Sequence, residues 1–316
     1  MDASAASPSQ RRSNRTIILG AAVLGVMAVI CVGTLPFTVN QFNDQDLNRT
    51  LEAPRPSVSG QGTLLGTDTL GRSLAVRCAL GGAISLGIGL AAAAIAVTIG
   101  TAWGMIAGYA GGRVDAVMMR FVDVLYGLPY ILIVLLLVVA VDGLIMRFEA
   151  ASQDETPTGV LKFVLENRWL INISALFIAI GAVSWLTLAR VVRGQVLSIK
   201  GQPYVEAARA AGCSVPRILF RHVLPNLVGP IIVYTTLTVP QAILQESFLS
   251  FLGIGVQEPL PSWGVLAAEG LGQLNLVKSH WWLLAWPCAA LGLTLLALNF
   301  LGDGLRERLD PHAARS

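Results

Sequence analysis

The chain has 316 residues, of which 54% are hydrophobic and 13% are charged, and its formal net charge is +3. Soluble domains carry about 25% charged residues, so this composition excludes a soluble globular enzyme, a disordered chain and a disulfide-rich scaffold. The small net charge gives no support to nucleic-acid binding. The four cysteines lack the spacing of a metal or redox motif, and a multi-pass membrane protein is the class that remains.

Stretches without Asp, Glu, Lys or Arg mark the candidate membrane spans, because the hydrocarbon core requires about 20 apolar residues per helix. Six such stretches occur, at residues 16–43, 78–112, 124–141, 169–189, 222–245 and 279–302. The first is too long for the apolar core of a signal peptide and lacks a cleavage site, so we interpret it as a retained helix. We therefore predict an all-α integral membrane protein with six transmembrane helices, over about residues 16–39, 81–110, 117–141, 169–190, 226–250 and 282–302.

The distribution of basic residues predicts which side of the membrane each loop faces. With the N-terminus in the cytoplasm, fourteen of the 22 Lys and Arg residues fall on the cytoplasmic side, as the positive-inside rule requires. This topology predicts cytoplasmic tails at 1–15 and 303–316. It also predicts long external segments at 40–80 and 142–168, and a long cytoplasmic loop at 191–225.

Glycines recur every four residues at the end of the second span, at Gly100, Gly104, Gly108 and Gly112. Small residues at this spacing allow two helix backbones to approach closely. The pattern predicts a helix seam, which is either an ordinary packing contact or a seam beside a translocation path.

Two acidic residues at the edges of the apolar stretches have two interpretations. Asp123 directly precedes the third stretch, and Glu246 lies about 30 Å along a helix from Asn226. Because ionisable residues inside a membrane usually serve a function, both acids are candidate neighbours of a transport path. Both positions also suit an interfacial or capping role, and the sequence leaves these alternatives open.

The cytoplasmic loop contains the pattern of a helix, a sharp turn and a second helix. Pro203 suits the first turn of a helix, strong helix formers follow it, and Gly212 stands where a C′ glycine would end the helix. Ser214 offers an N-cap for the second helix. The first helix is short and narrow because it is rich in alanine, so its shape suits either a groove on another protein or the lipid surface.

Five segments of the chain resemble one protein family. The Glu-Ala-Ala of residues 206–208, the glycine at 212 and the Leu-Pro of 224–225 resemble the EAA loop of ABC-importer permease subunits. The His-x-Leu-Pro-Asn ending of that loop is similar to the dipeptide/oligopeptide and nickel branch of the family. Motifs similar to those of the same branch occur in order at 65–72, 108–123, 249–264 and 299–311.

The resemblance implies a type I ABC-importer transmembrane fold and a multi-pass location in a bacterial or archaeal cytoplasmic membrane. It implies as partners a homologous second permease subunit, two cytoplasmic ATPase subunits, an external solute-binding protein and the lipid bilayer. The cargo it implies is a peptide, a nickel chelate or a related small solute. The residues implied to couple the chain to the ATPases are Glu206, Ala207, Ala208, Gly212, Leu224 and Pro225. The candidates for an external gate or scoop are Gly66, Thr67, Asp68, Gly71 and Arg72, and the alternative for this segment is a turn-rich surface loop.

The sequence contains no ATPase motif of its own. None of its three lysines follows a glycine, so a P-loop is absent, and ATP and Mg would be used by the partner ATPases. We predict no catalytic residue, bound cofactor, metal site or nucleic-acid partner for this chain. The alternative is a stand-alone secondary transporter or channel, for which inverted repeats or several midplane ionisable residues are typical. An enzyme is disfavoured because the three histidines lie far apart in the sequence.

Overall fold

The computed structural model describes residues 8–55, 63–151, 168–274 and 278–309. This part of the chain is helical and contains two isolated β-bridges but no β-strand. The predictions for residues 1–7, for most of the external loop 142–168 and for the last seven residues of the C-terminal tail lie outside the described residues.

Helices of very different length make up the bundle. In chain order they are α1 (Pro8–Gly33), α2 (Leu35–Gln41), α3 (Leu74–Ala110), α4 (Gly112–Tyr126), α5 (Tyr130–Ala151), α6 (Arg168–Ile199), α7 (Pro203–Ala210), α8 (Val215–Ile218), α9 (Leu224–Phe251), α10 (Trp263–Gly272) and α11 (Trp282–Leu309). A π-helical segment, Leu219–Val223, joins α8 to α9.

Six helical stretches of the described chain are long and apolar enough to cross a membrane. They are Thr16–Gly33, Leu74–Ala110, Tyr130–Arg147, Ile173–Ile199, Val215–Phe251 and Trp282–Arg308. The predicted fold class, an all-α protein with six membrane spans, is thereby confirmed.

The structure interrupts the third predicted span. The sequence predicted one helix over 117–141, but α4 ends at Tyr126 and α5 begins at Tyr130. Pro129 lies in the gap, and its missing N–H and fixed ring disfavour a continuous helix there. Only Asp115 and Val122 of α4 are buried, so α4 lies on the surface of the bundle and α5 alone forms the apolar span.

The predicted cytoplasmic loop is mostly helix. The chain leaves α6 at Ile199 and enters α7 at Pro203, and from Val215 onwards it is helical without a break into α9. Only residues 200–202 and 211–214 of the predicted loop 191–225 are therefore outside helices. Helix α7 is consequently joined to α6 by three residues, which leaves the two elements little freedom to move independently.

The glycine seam joins α3 to α6. A Cβ on Gly100 would lie 2.9 Å from Leu188 Cβ, one on Gly104 would lie 2.6 Å from the Ala189 carbonyl oxygen, and one on Gly108 would lie 2.8 Å from Val196 Cβ. Gly112 does not belong to the seam, because it begins α4 with φ +53° and a Cβ there would meet no atom. The seam is a packing contact inside this chain.

The 37 residues of α3 define the long axis of the molecule, since such a helix is about 55 Å long. The segment 63–73 and α10 pack at the first residues of α3, which we call the Leu74 end. Helix α7 packs at its last residues, which we call the Ala110 end. The two regions singled out by sequence therefore lie at opposite ends of the bundle.

Candidate coupling surface and supporting polar contacts

Helix α7 begins and ends on defined backbone signals. Gln202 is extended before it, Pro203 occupies its first turn, and its last residue is Ala210. Gly212 then adopts φ +75°, the left-handed conformation that glycine accepts most readily. The Gly212 N–H donates to Arg209 O at 3.0 Å and the Cys213 N–H donates to Ala208 O at 3.1 Å. These two bonds form a Schellman motif, which ends the helix and reverses the chain.

A single buried side chain anchors α7 to the bundle. Val205 is fully buried, and it belongs to one apolar cluster with Val196 of α6, Ile218 of α8 and Leu227 of α9. Most of the remaining side chains of α7 are exposed: Tyr204, Glu206, Ala207, Arg209 and Ala210. Ala208 is half-buried beside the cluster. The helix is therefore fixed along one side and presents Glu206 and Ala207 outward.

The second helix of the predicted pair differs from expectation in two respects. Ser214 occupies the N-cap position of α8, but its side chain makes no capping hydrogen bond. Helix α8 then runs through the π-helical segment into α9, where Leu224 is half-buried and Pro225 is exposed in the first turn. The Leu-Pro pair thus lies in the first turn of α9, where Leu224 packs against the apolar cluster that contains Val205 of α7.

Two cationic side chains tie α7 to the end of α3. Lys200 Nζ, in the linker before α7, donates a 2.8 Å hydrogen bond to Gly108 O. The guanidinium of Arg209 lies 5.6 Å from the centre of the Tyr109 ring, within the range of a cation–π contact. Both contacts join α7 to the Ala110 end of α3 without covering the outward surface of α7.

Arg193 and Asp115 join α6 to the surface helix α4. Arg193 Nε and Nη2 each donate a 2.6 Å hydrogen bond to an oxygen of Asp115, a bidentate geometry that favours the charged pair. The hydrogen-bonded guanidinium of Arg193 holds the pKa of the Asp115 carboxyl below its ordinary value, with a smaller contribution from the charge of Lys200. Arg193 lies two turns before the end of α6, so the pair fastens α4 close to α7.

Asp123, one of the two candidate acids, pairs with Arg190. Arg190 Nη2 donates a 2.9 Å hydrogen bond to Asp123 Oδ1, and both side chains are more than one third exposed. The same guanidinium lies 4.1 Å from the centre of the Tyr126 ring. Asp123 therefore lies in α4, outside the apolar spans, and makes a second contact between α4 and α6.

The gate or scoop candidates lie inside the segment that the sequence predicts to be external. Gly66, Thr67, Asp68, Gly71 and Arg72 are all buried, whereas Leu64 and Thr69 are exposed. Thr67 Oγ1 accepts a hydrogen bond from the Glu52 N–H at 2.9 Å, and Asp68 Oδ1 accepts bonds from the N–H groups of Leu70 and Arg72 at 2.9 and 2.8 Å. These residues hold the shape of the segment, and their neighbours form its surface.

Sequence reasoning did not find the buried ion cluster that fastens this segment. Arg77 of α3 is fully buried. Its Nη1 donates to Asp68 Oδ2 at 2.8 Å. Its two Nη atoms also donate to the carboxylate of Glu269, Nη1 to Oε2 at 2.6 Å and Nη2 to Oε1 at 2.9 Å. Arg72 Nε also donates to Asp68 Oδ2, at 2.6 Å. The cluster links the segment to α3 and α10. The sequence signal was a single arginine one residue before the second charge-free stretch.

Glu246, the other candidate acid, is fully buried in α9. Its carboxyl accepts hydrogen bonds from serine hydroxyls, including those of Ser85 in α3 and Ser250 in α9. The structure therefore places the two candidate acids in different environments, one exposed beside Arg190 and one enclosed by hydroxyls.

These observations define an integral membrane protein with six spans, a rigidly seated exposed helix at one end and a cross-linked cap at the other. Among the described residues no group of three His, Cys, Asp or Glu side chains could hold a metal ion. Residues 100–315 match the family described as "Binding-protein-dependent transport system inner membrane component". The chain belongs to this family.

Several characterised proteins are similar to the chain over most of its length. It is 44% identical over 276 residues to the oligopeptide transport system permease protein OppC of Haemophilus influenzae, covering 87% of this chain and 77% of that protein. It is 41% identical over 298 residues to OppC of Escherichia coli K12, covering 94% and 87%. It is 43% identical over 250 residues to the dipeptide transport system permease protein DppC of Bacillus subtilis, covering 79% and 69%.

Family membership confirms the identification made from the five motifs. The chain is a permease subunit with the type I ABC-importer membrane fold and a multi-pass component of a bacterial inner membrane. The match does not favour the alternative, a secondary transporter or channel that works alone.

Proposed function

We propose that the chain is the permease subunit of an ATP-driven importer that moves peptides or related small solutes into the cytoplasm. The relatives named above are permease proteins of oligopeptide and dipeptide transport systems, which supports this cargo class. The chain lacks a P-loop lysine, so ATP and Mg would be bound by two separate cytoplasmic ATPase subunits. A second, homologous permease subunit would complete the pore.

The observation that carries the proposal is the one-sided seating of α7. Val205 is fully buried while Glu206 and Ala207 project outward, and the Schellman motif at Gly212 fixes the direction of the chain after the helix. A short helix held in this way has the shape and rigidity to enter a groove of an ATPase. Small alanine side chains allow close approach, and Glu206 offers a charge to a basic partner or a cap to a neighbouring helix.

The contacts around α7 give a physical route for coupling. When the ATPases close on ATP, they would displace α7, and the three-residue linker would pass that displacement to α6. The glycine seam and the Lys200 bond would carry it to α3, and the Asp115–Arg193 pair would carry it to α4. Rigid-body movement of packed helices is a common switching mode, and here it would turn the permease from inward-open to outward-open.

The Leu74 end is the proposed external face, where the solute-binding protein would dock. In this proposal the buried residues from Gly66 to Arg72 keep the external segment rigid, and the exposed side chains of Leu64 and Thr69 are available to the binding protein. The ion cluster around Arg77 would hold that docking face at a fixed distance from α3 and α10.

The test is a crosslinking and transport experiment on the complete complex. Ala207→Cys is introduced into a background of Cys213→Ser and Cys288→Ser, which removes the two native cysteines that are accessible. We expect the thiol to crosslink to an ATPase subunit, and peptide uptake into proteoliposomes to require that subunit, the binding protein and ATP. Thr98→Cys, on the membrane-spanning part of α3, is the control and should not crosslink to the ATPase. Uptake by the purified chain alone, or crosslinks of residue 207 to lipid only, would overturn the proposal.

A further inference from the structure

Three serine hydroxyls, one from α3 and two from α9, hydrogen-bond to the buried Glu246 carboxyl. Ser85 Oγ of α3 donates to Glu246 Oε2 at 2.8 Å, Ser250 Oγ donates to Oε1 at 2.7 Å, and Ser247 Oγ donates to Oε2 at 3.3 Å. Within the described part of the chain, every hydrogen-bond partner of the carboxyl is a serine.

Two of the hydroxyls that donate to Glu246 also accept a backbone hydrogen bond from residues that follow α9. The Val256 N–H donates to Ser250 Oγ at 3.0 Å, and the Trp263 N–H donates to Ser85 Oγ at 3.4 Å. The direction is the same in both branches, from backbone N–H to hydroxyl to carboxyl. Glu246 is thus the shared acceptor on which these two branches end.

Close packing holds the same stretch between α3 and α9. Trp263 is fully buried, and its ring N–H donates to Cys78 O at 3.1 Å. A Cβ on Gly264 would overlap the backbone of Ser247, and one on Gly81 would lie 3.2 Å from the backbone of Ser262. The Ser-Trp-Gly sequence therefore has a local explanation: the serine caps α10, the tryptophan fills the space below it, and the glycine allows contact with α9.

We propose that Glu246 is a positioning residue of the transport cycle, which fixes the stretch 252–262 and the start of α10 to α3 and α9 by acting as the common acceptor of these hydroxyls. A carboxyl suits this place because both of its oxygens accept, whereas an amide has one accepting oxygen and an NH₂ group that must donate. Glutamine has nearly the same shape, so its introduction would reverse one branch without creating a cavity.

The consequence concerns the mouth of the bundle at the Leu74 end. The stretch 252–262 contains exposed residues, among them Gln257 and Glu258, on the face where the proposed function places the binding protein. Fixed through Glu246, this stretch moves together with α3 and α9 during the cycle. With a branch reversed, it would move independently and present a variable surface to the binding protein.

The first measurement requires no transport activity. A spin label is attached to Gln257→Cys in the background of Cys213→Ser and Cys288→Ser, in the complete complex reconstituted in nanodiscs. We expect Glu246→Gln and Ser250→Ala each to increase the mobile component of the label spectrum by about threefold, since each breaks a branch that holds residue 256. Ser184→Ala is the matched control, because the Ser184 hydroxyl donates to the Ile180 carbonyl of its own helix, and it should leave the spectrum unchanged.

The second measurement rests on the proposed function. In proteoliposomes we expect Glu246→Gln to raise the half-saturating concentration of peptide-loaded binding protein about fivefold, the scale set by the loss of one hydrogen bond, with the maximal uptake rate little changed. A residue needed only for folding would lower the amount of active complex and leave that concentration unaltered. If Glu246→Gln fails to assemble, both measurements are made on Ser250→Ala instead. The proposal would be overturned by an assembled variant in which the mobility of the label and the half-saturating concentration of binding protein are both unchanged. Absence of uptake in the unmutated complex would instead overturn the proposed function.

Discussion

Arg193 and Asp115 lie 78 positions apart in the sequence and form a bidentate pair with both N–O distances at 2.6 Å. At the Ala110 end, α6 therefore contacts two neighbouring helices. It is hydrogen-bonded to α4 through Arg193, and it packs against α3 along the glycine seam. Helix α7 leaves the same end of α6 after three residues. A displacement of α7 therefore reaches α3 and α4 through contacts already present in one chain.

Loss of the Asp115 charge should loosen α4 from α6. We expect Asp115→Asn to lower the thermal midpoint of the purified complex by an amount equivalent to about 1–2 kcal/mol, because two hydrogen bonds between opposite charges become one bond from the guanidinium to an uncharged amide oxygen at a partly exposed site. Uptake per ATP hydrolysed should also fall. Thermal unfolding and paired assays of uptake and ATPase activity measure the two effects.

The comparison variants make this prediction specific. Asp123→Asn removes a single, more exposed hydrogen bond to Arg190 and should change the midpoint less than Asp115→Asn does. Exchange of the charges, Asp115→Arg with Arg193→Asp, should recover part of the lost stability. Equal midpoints for Asp115→Asn and the unmutated complex would show that the pair does not fasten α4.

The same pair predicts how the thermal stability of the complex depends on pH. Arg193 holds the pKa of Asp115 in the folded protein below its ordinary value of 3.8. The charged carboxyl therefore contributes its full stabilisation at pH values above that ordinary pKa. This stabilisation is lost as the pH falls through the lower pKa of the folded state. The difference in thermal midpoint between the unmutated complex and Asp115→Asn should therefore be constant from pH 7 to about pH 5 and narrow below about pH 4. A difference that persists unchanged at pH 3 would contradict this account.

The glycine seam should tolerate very little added volume. A methyl group at Gly104 would meet the Ala189 carbonyl oxygen at 2.6 Å and Val192 Cβ at 2.7 Å, so α3 and α6 would have to separate. We expect Gly104→Ala to destabilise the complex by about 1–3 kcal/mol, the usual cost of overpacking. Gly87→Ala in the same helix is the control, since a Cβ there meets no atom within 4 Å. The midpoints of the two variants decide the prediction, and similar values would contradict it.

The sequence predicted the spans well because hydropathy reports directly on the length of apolar helix. It predicted the boundaries less well, since helices can continue beyond the apolar layer. The predicted helix ended at residue 190, but the structure continues it to Ile199, so Arg193, assigned to the start of a loop, lies within α6. The interruption at Pro129 was visible as a helix-breaking residue, but the charge-free stretch that begins at Val124 covered it.

The helix and the turn of residues 203–212 were predictable because their signals are local. Pro203 and Gly212 act on the backbone at their own positions, and the structure places a helix start and a left-handed turn there. The ion cluster was not predictable in the same way. Arg77 and Glu269 are 192 positions apart, and their contact depends on how α3 packs against α10, which no local pattern specifies.

The buried cluster at the Leu74 end should be far more sensitive to mutation than a surface pair. Arg77→Met removes three hydrogen bonds from a fully buried site and leaves Glu269 without its guanidinium partner. We expect the free energy of unfolding to fall by about 3 kcal/mol, since breaking a buried ion pair leaves an uncompensated charge. Limited proteolysis of the segment 63–73, followed by mass spectrometry, should show faster cleavage in this variant.

A surface pair in the same region provides the reference for that measurement. Glu52→Gln weakens the contact with Arg49, in which both side chains are about one third exposed, and should cost less than about 1 kcal/mol. Its cleavage rate should stay close to that of the unmutated complex. Equal rates for Arg77→Met and Glu52→Gln would show that the segment is held by other contacts.

Substitution of Gly212 tests the direction of the turn after α7 without a steric complication. Its φ is +75°, and a Cβ there would meet no atom within 4 Å, so the effect of Gly212→Val comes from backbone strain of about 1–2 kcal/mol for a non-glycine residue in this conformation. The strain would favour a different exit from α7 and tilt Glu206 and Ala207 away from the ATPase. We expect ATP hydrolysis to continue while uptake falls at least about tenfold, because 1.4 kcal/mol corresponds to a factor of ten. Gly201→Val, at the other end of the helix, is the control, since a Cβ there also meets no atom and its φ is not positive. If Gly212→Val assembles and transports at the unmutated rate, the rigid turn is not needed for coupling, and contact with the ATPase must depend on α7 alone.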